Sequence, residues 1–429
     1  MNPLKILVIS HNAFSKHSNN GKTLESIFYN FNKASISQLF FSYNKNLDFE
    51  YCSNYFQLTD WDVLKNTLFF TNKNGKKCIN KYLETNNKEG KKRSANIFLK
   101  TFKIPLFRDL LWRLNGWKTN KLYNWIELYS PNLIFYVGGN FGFSHKIALH
   151  LSKKYKIPLV VYFTDDYLLH PIYKNIFEKI QHKRMYSFYK KTVQHASLCF
   201  GIGDLMCKEY TAYFGKSFYP LINIVKLNKL SFKSKTESSI KICYFGGLHL
   251  FRWKMISRLG KILNQTSLSL GIDIILQVYT TSEYTYKIKK SFEESSVYYM
   301  GAVYGREFQK KLEEADILLH VESDDKYYRS LTKLSVSTKI PEYLSTGKCI
   351  IAFGPSEVAS IKLLKDHSIG YTLDSSEKDK IIISQLSTLL TDCQKQKEIG
   401  MRGYIYANKV FNADNIRNSF ENLLNQIIK

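Results

Sequence analysis

Along the first half of the chain, short apolar runs alternate with stretches in which apolar residues recur every three or four positions. "KILVIS", "SISQLFFSY", "LIFYVGG", "PLVVYF" and "ASLCFGIG" predict strands, and "KTLESIFYNFNK", "SHKIALHLSKKY" and "DLMCKEYTAYFG" predict helices. Strands this uniformly apolar, separated by helices, predict a parallel sheet covered on both faces. The alternation breaks at "KLNKLSFKSKTESS", which is polar and lacks helical period. It then restarts with "KICYF", a helix from about Trp253, "DIILQV", "SVYYM", the helix "REFQKKLEEA", "DILLHV", a short helix in "STKIPEYLSTG", and "KCIIAF". Two successive α/β units predict two doubly wound, Rossmann-like domains facing each other. The last stretch places Ile416, Phe420, Leu423, Leu424 and Ile427 at helical spacing, an amphipathic helix that needs a surface to dock on. The expected organisation is an N-terminal domain over 1–225, a linker over 226–239, a C-terminal domain over 240–408 and a last helix over 409–429. Within the first domain, about 60–130 reads as an irregular basic and aromatic insertion.

Length agrees with this division, since 429 residues exceed a typical single core. No apolar run reaches the roughly 18 residues that span a bilayer, and "MNPLKILVIS" enters a strand too soon to leave room for a cleaved signal. The seven cysteines are odd in number and form no CxxC pair, which predicts buried thiols in a reducing compartment, the cytoplasm. A net charge of +26 suits a nucleic acid or an anionic membrane surface as partner, against a compositional reading in which lysine and asparagine are simply abundant. The charge gathers between Thr59 and Asn132. There "IFLKTFKIPLFRDLLWRLNGW" interleaves Phe98, Phe102, Phe107, Trp112 and Trp117 with Lys100, Lys103, Arg108 and Arg113. Such a segment can lie on an anionic bilayer; a core-packing helix with a wet basic face is the favoured reading.

Candidate chemistry sits where strands end. "NNGKT" lacks the glycine a P-loop requires, Lys16 standing there instead, and leaves Gly21 at a helix amino end suited to an anion. The glycines of "LIFYVGGNFG" lack the dinucleotide-binding spacing. In "KICYFGGLHLFRWK" the Gly246–Gly247 pair follows a buried strand, lets a phosphate approach the backbone, and precedes Arg252, which can grip it. Asp165 and Asp166 close "VVYFTDD", where one could act as general base or both could cap the next element. In "STKIPEYLSTG", Pro341 belongs in the first helical turn, which puts Thr338 near the N-cap. Ile340 and Leu344 then share the buried face, while Thr338, Lys339 and Glu342 point away from it. Lys339 and Glu342 could form a surface pair. They could equally face a crevice, the helix end and Lys339 meeting a phosphate and Glu342 accepting from ribose hydroxyls.

In order and spacing, "YFGGLHLFRWK", "YYMGAVYGREFQKKLEEADILLHVES" and "STKIPEYLSTGKCIIAFGP" resemble the retaining nucleotide-sugar glycosyltransferases of the GT-B fold, in particular family 4. "SNNGKTLESIF" resembles that family's amino-terminal glycine loop, and the last helix the one that crosses back to the N-terminal domain. The resemblance implies acceptor binding by the first domain and nucleotide-sugar binding by the second. It implies that Glu342 binds the ribose, that Arg252 binds the diphosphate with help from Lys339, and that Gly301 and Val303 line the base pocket. It places Asp165 or Asp166 on the acceptor side, implies no metal or other cofactor, and implies a glycan or lipid-linked saccharide acceptor. Three positions depart from the family pattern. Leu334 replaces the first acid of the usual pair, so the sugar would be held differently, with the loop Ser323–Ser335 as the candidate; Gly247 replaces an arginine, and Thr164 a histidine. Two other functions compete: a nucleotide-sugar epimerase of the same shape, and a basic nucleic-acid-binding protein, although no helix-turn-helix, zinc-finger or RNP-like pattern is present.

Overall fold

The computed structural model describes residues 3–15, 19–44, 47–69, 75–78, 105–225 and 239–428. The expected linker lies almost wholly outside them, as do the run "NKEGKKRS" and Phe98, Lys100, Phe102 and Lys103. The chain divides into two compact units, Met1–Ile222 with Arg417–Lys429, and Asn223–Ile416.

In the first unit the apolar runs become strands whose residues are buried throughout: β1 (Ile6–Ser10), β2 (Ile36–Phe40), β5 (Leu133–Gly138) and β6 (Leu159–Phe163). With β3 (Asn54–Gln57), β4 (Lys76–Cys78), β7 (Leu198–Gly201) and β8 (Tyr219–Pro220) they form one sheet in the order β4-β3-β2-β1-β5-β6-β7-β8. Every pairing is parallel except β3 with β4. Successive strands are added on one side of β1 and then, from β5, on the other. The order therefore reverses between β1 and β5, the place where such sheets open a crevice at their carboxyl ends.

The second unit repeats the plan with β9 (Ser239–Phe245), β10 (Asp273–Tyr279), β11 (Val297–Gly301), β12 (Ile317–Val321), β13 (Cys349–Gly354) and β14 (Tyr371–Asp374). Its order is β11-β10-β9-β12-β13-β14, all parallel, with the reversal between β9 and β12. Ile242, Leu259, Leu319, Ile351 and Leu386 fill one face of this sheet.

The stretch expected to be irregular carries regular elements. Helix Asp60–Phe69 starts from a reciprocal cap, in which Asp62 accepts from the Thr59 amide at 2.9 Å and the Thr59 hydroxyl accepts from the Asp62 amide at 3.3 Å. Helices Pro105–Arg113 and Asn120–Tyr129 follow. Their pattern is hard to read because charged residues occupy inward positions: Arg108 and Asp109 are as deeply buried as Trp112 and Trp117. Of the interleaved aromatics that are described, Trp112 and Trp117 are core and Phe107 is exposed, so Trp112 offers nothing to a membrane. Helix Ile176–His195 also had no apolar period to announce it, since Ile176, Phe177 and Ile180 are exposed among lysines.

Arg417–Lys429 belongs to the first unit. Phe420, at 1 % exposure, packs edge-on against Phe28, Phe135 and Phe200 with ring centroids 5.9, 5.8 and 5.5 Å away. All seven cysteines are unpaired and all but Cys393 are buried; burial pushes the Cys52 and Cys349 thiols up to about 12. Among the described residues, no helix is long and apolar enough to cross a membrane.

Candidate functional site

In the second unit, β9 runs into Gly246 and Gly247 at the point where the strand order reverses. The Gly246 amide still bonds Tyr279 O at 3.1 Å, and Tyr244 Oη donates to Gly247 O at 2.8 Å. A Cβ on Gly247 would stand 2.3 Å from His249 Nδ1, so only glycine fits without moving that ring. The chain then passes through Leu250 and Phe251, both at φ 60°, before helix Arg252–Leu270. Two consecutive left-handed residues with large side chains are costly, and such strain gathers at functional turns.

Arg252 opens that helix, as expected, and its guanidinium is held from the neighbouring strand. Glu322, the residue after β12, is 1 % exposed; its Oε2 accepts from Arg252 Nη2 at 2.9 Å and its Oε1 lies 3.1 Å from His320 Nε2. Burial pushes this carboxyl up, but Arg252 and then His320 outweigh it and hold it down at about 2. Sequence reasoning missed Glu322. The signal was an acid directly after a buried strand in "LLHVES".

Helix Lys339–Leu344 is short, with Thr338 at its N-cap making no side-chain cap bond. Ile340 and Leu344 are buried, as their spacing required. Tyr343 fixes the helix to the end of β9: its hydroxyl accepts from the Phe245 amide at 2.9 Å and donates to Phe245 O at 3.2 Å. Lys339 Nζ bonds Glu342 Oε2 at 3.1 Å and lies 4.7 Å above the Phe308 ring, which meets Phe245 edge-on at 5.3 Å. Lys339 and Glu342 are half-buried beside the strand end that carries the glycine pair. Gly301 ends β11 at φ 77°, its carbonyl accepting from Thr280 N at 2.7 Å, and Val303 is half-buried two residues on. Leu334 is fully buried, so that position faces core. The expected loop Ser323–Ser335 contains helix Lys326–Thr332, capped by Asp325.

In the first unit, Gly21 is the third residue of helix Asn19–Ile27. A Cβ there would come within 2.5 Å of Ala13 O and 2.8 Å of Ser15 Cβ. Its role here is close approach of helix to loop, and Gly21→Ala is expected to lower stability by about 1–3 kcal/mol, read as a lower urea midpoint at unchanged slope.

Asp165 and Asp166 follow β6 and differ sharply. Asp166 is 3 % exposed and accepts from the Leu168 and Leu169 amides, the Tyr210 hydroxyl and His170 Nδ1, each at 2.9–3.0 Å. Burial pushes its carboxyl up, and these bonds outweigh burial to leave it below the usual range. Its oxygens are occupied in holding the turn after β6. Asp165 is the less enclosed of the two and takes the Thr164 hydroxyl at 3.0 Å.

Near the reversal of the first sheet lies a second buried cluster. Arg108 Nε bonds Asp60 at 2.7 Å, Nη2 donates to Phe41 O at 3.2 Å, and Nη1 is 3.3 Å from His11 Nδ1. Its guanidinium lies over Phe141 and Phe143, at 4.7 and 5.0 Å. Burial first, and Arg108 second, hold the His11 imidazole down at about 3, so His11 is neutral near pH 7. Among the described residues, no group of three or more His, Cys, Asp or Glu side chains is arranged to hold a metal ion.

No protein-family model matches the chain, and no curated protein matches it in sequence. Solved structures do match over nearly its whole length. Anabaena HepE in complex with UDP and glucose aligns with a TM-score of 0.64 at 12% identity, covering 99% of this chain and 100% of that one. Sucrose-phosphate synthase from Thermosynechococcus elongatus aligns at 0.63 and 12%, covering 99% of each chain. An S. aureus TarM variant, in complex with fondaparinux, α-GlcNAc-glycerol and UDP, aligns at 0.62 and 10%, covering 99% of this chain and 100% of that one. The fold is GT-B-like. Two Rossmann-like α/β domains make up this GT-B-like chain, and the Gly246–Arg252 turn and the Glu342 helix lie at the carboxyl edge of its second domain.

Proposed function

We propose that this chain is a glycosyltransferase that moves a sugar from a nucleotide-sugar donor to a glycan or lipid-linked saccharide, with retention of configuration, in the cytoplasm at the inner face of the cell membrane. One observation carries the reading: the glycine pair, Arg252, Lys339 and Glu342 converge on the carboxyl end of β9, where the strand order of the second unit reverses. Glycine backbone gives a diphosphate close access, Arg252 and Lys339 supply positive charge, and Glu342 supplies two acceptor oxygens for ribose hydroxyls. Gly301 and Val303 line the nucleobase side.

Transfer breaks the bond between the sugar and the diphosphate, whose oxygens take the electron pair. Cations already fixed by packing stabilise that charge without reorganising. The acceptor hydroxyl bonds to the sugar on the face the diphosphate leaves, which retains the configuration, and gives its proton to a diphosphate oxygen. Of the two acids after β6, Asp165 is the acceptor-side candidate because Asp166 has four donors on its two oxygens. The solved structures of this fold are in keeping with the donor class, since HepE is seen with UDP-glucose.

A nucleotide-sugar panel read by thermal shift tests the proposal. A donor at a hundred times its Kd stabilises the folded state by about 2.7 kcal/mol, a rise in Tm of roughly 5–10 °C. No shift with any member of the panel overturns the reading. Product that forms without an acceptor points to an epimerase instead.

A further inference from the structure

The exposed apolar side chains of the first unit are gathered, not scattered. On helix Pro105–Arg113 and the residue after it, Phe107, Leu110 and Leu114 stand three and four positions apart, at 36%, 43% and 61% exposure. The opposite side of the same helix is deeply buried through Arg108, Asp109 and Trp112. On helix Ile176–His195, Ile176, Phe177 and Ile180 are 60%, 47% and 41% exposed. The two sets form one surface: Phe107 and Phe177 meet with ring centroids 6.2 Å apart, and Gln181 donates to Asp109 at 2.8 Å beneath them.

The exposed charge along the second helix is predominantly positive. Lys179, Lys183, Lys190 and Lys191 are exposed along the second helix. By the end of the first, Lys146 Nζ donates to Asn115 Oδ1 at 3.3 Å. Burial, and then Lys118 and Arg113, depress the Lys146 ammonium. Of the acids on the two helices, Asp109 is buried, and the half-buried Glu178, which accepts from the Lys174 amide at 2.8 Å, is outnumbered by the lysines.

We propose that this face docks on the headgroup layer of an anionic bilayer. Apolar side chains that enter the boundary between headgroups and acyl chains, ringed by lysines that meet anionic headgroups, are what such a surface requires. A second copy of this chain would bring lysine against lysine at the rim, which disfavours it as the occupant. The proposal rests on the reading of an acceptor presented at a membrane. Vesicle partition is measured without donor or acceptor, so its failure and a failure of transfer are distinguishable.

The test is co-sedimentation of the full chain with vesicles of phosphatidylcholine, with and without phosphatidylglycerol, at low salt. Wild type is expected in the pellet only with phosphatidylglycerol. The variant Leu110→Gln/Ile176→Gln/Phe177→Gln and the variant Lys179→Glu/Lys183→Glu each partition about tenfold less or worse, as the apolar and electrostatic parts act together. Lys261→Glu/Lys380→Glu, at exposed lysines of the second unit, keeps wild-type partition. Equal loss from both charge-reversed pairs would mean net charge alone drives binding and overturns the proposal. So does equal partition to neutral vesicles, undiminished partition of the apolar variant, or a dimer in solution that the apolar variant dissociates.

Discussion

Glu342→Ala is expected to reduce donor turnover at least a hundredfold while the protein stays folded. Glu342 is half-buried, and its side chain bonds Lys339 on the same short helix at 3.1 Å. A pair of this exposure adds only a few tenths of a kcal/mol to stability. Its removal should therefore leave Tm nearly unchanged. In the proposed site the same carboxylate accepts from two ribose hydroxyls, and hydrogen bonds to a charged group are worth about 1.5–3 kcal/mol each. Losing both removes about 3 kcal/mol or more, a factor of a hundred or greater. Initial-rate kinetics with the donor identified by thermal shift provide the check. Full activity with an intact fold would sink the assignment of Glu342, and a large loss of Tm would make it a structural residue.

The pair Arg252–Glu322 behaves in the opposite way, because it is buried. Glu322→Ala leaves the guanidinium without its carboxylate and is expected to cost about 3–5 kcal/mol, the usual penalty for breaking a buried ion pair. Replacing both partners, as Arg252→Met/Glu322→Met, removes the uncompensated charge and should restore most of the stability. It should leave donor binding well below wild type, since Lys339 is then the only one left of the two cations assigned to the diphosphate. Tm and donor shift measured on the three proteins separate the two roles. The pH dependence follows from the sign of the shift. The Glu322 carboxyl lies at about 2 against an ordinary 4.5, so its stabilisation is complete above about pH 4.5 and is lost as pH falls towards 2. Glu322→Gln should flatten that limb of the stability profile. A double variant that binds donor as tightly as wild type would show that Arg252 does not hold the diphosphate.

Much of the fold was legible because β1, β5, β6, β9, β12 and β13 are buried on both faces and leave continuous apolar runs. Helix Ile176–His195 was not, since its exposed isoleucines share a surface with lysines and blur the period. Helix Pro105–Arg113 looked like a basic aromatic stripe because Arg108 is an inward residue. It is satisfied by Asp60, 48 positions earlier, a distance no local pattern carries. The same limit applies to the site. The places of Gly246, Arg252, Lys339 and Glu342 on their turn and helices, though not their roles, were readable from spacing within two short stretches. Glu322 was not, because its meaning depends on β12 lying beside β9, 70 residues from Arg252. Asp165 and Asp166 were indistinguishable as neighbours; what separates them is Tyr210, from a helix 44 residues on.

The seat of Phe420 on the first sheet has a consequence for synthesis. Phe28, Phe135 and Phe200 emerge from the ribosome long before the ring that covers them. Between them and Phe420 lies the whole of the second unit, Asn223–Ile416, which takes on the order of ten to forty seconds to translate. For that interval the nascent first unit carries an uncovered aromatic patch, and its closure waits until the second unit has been made.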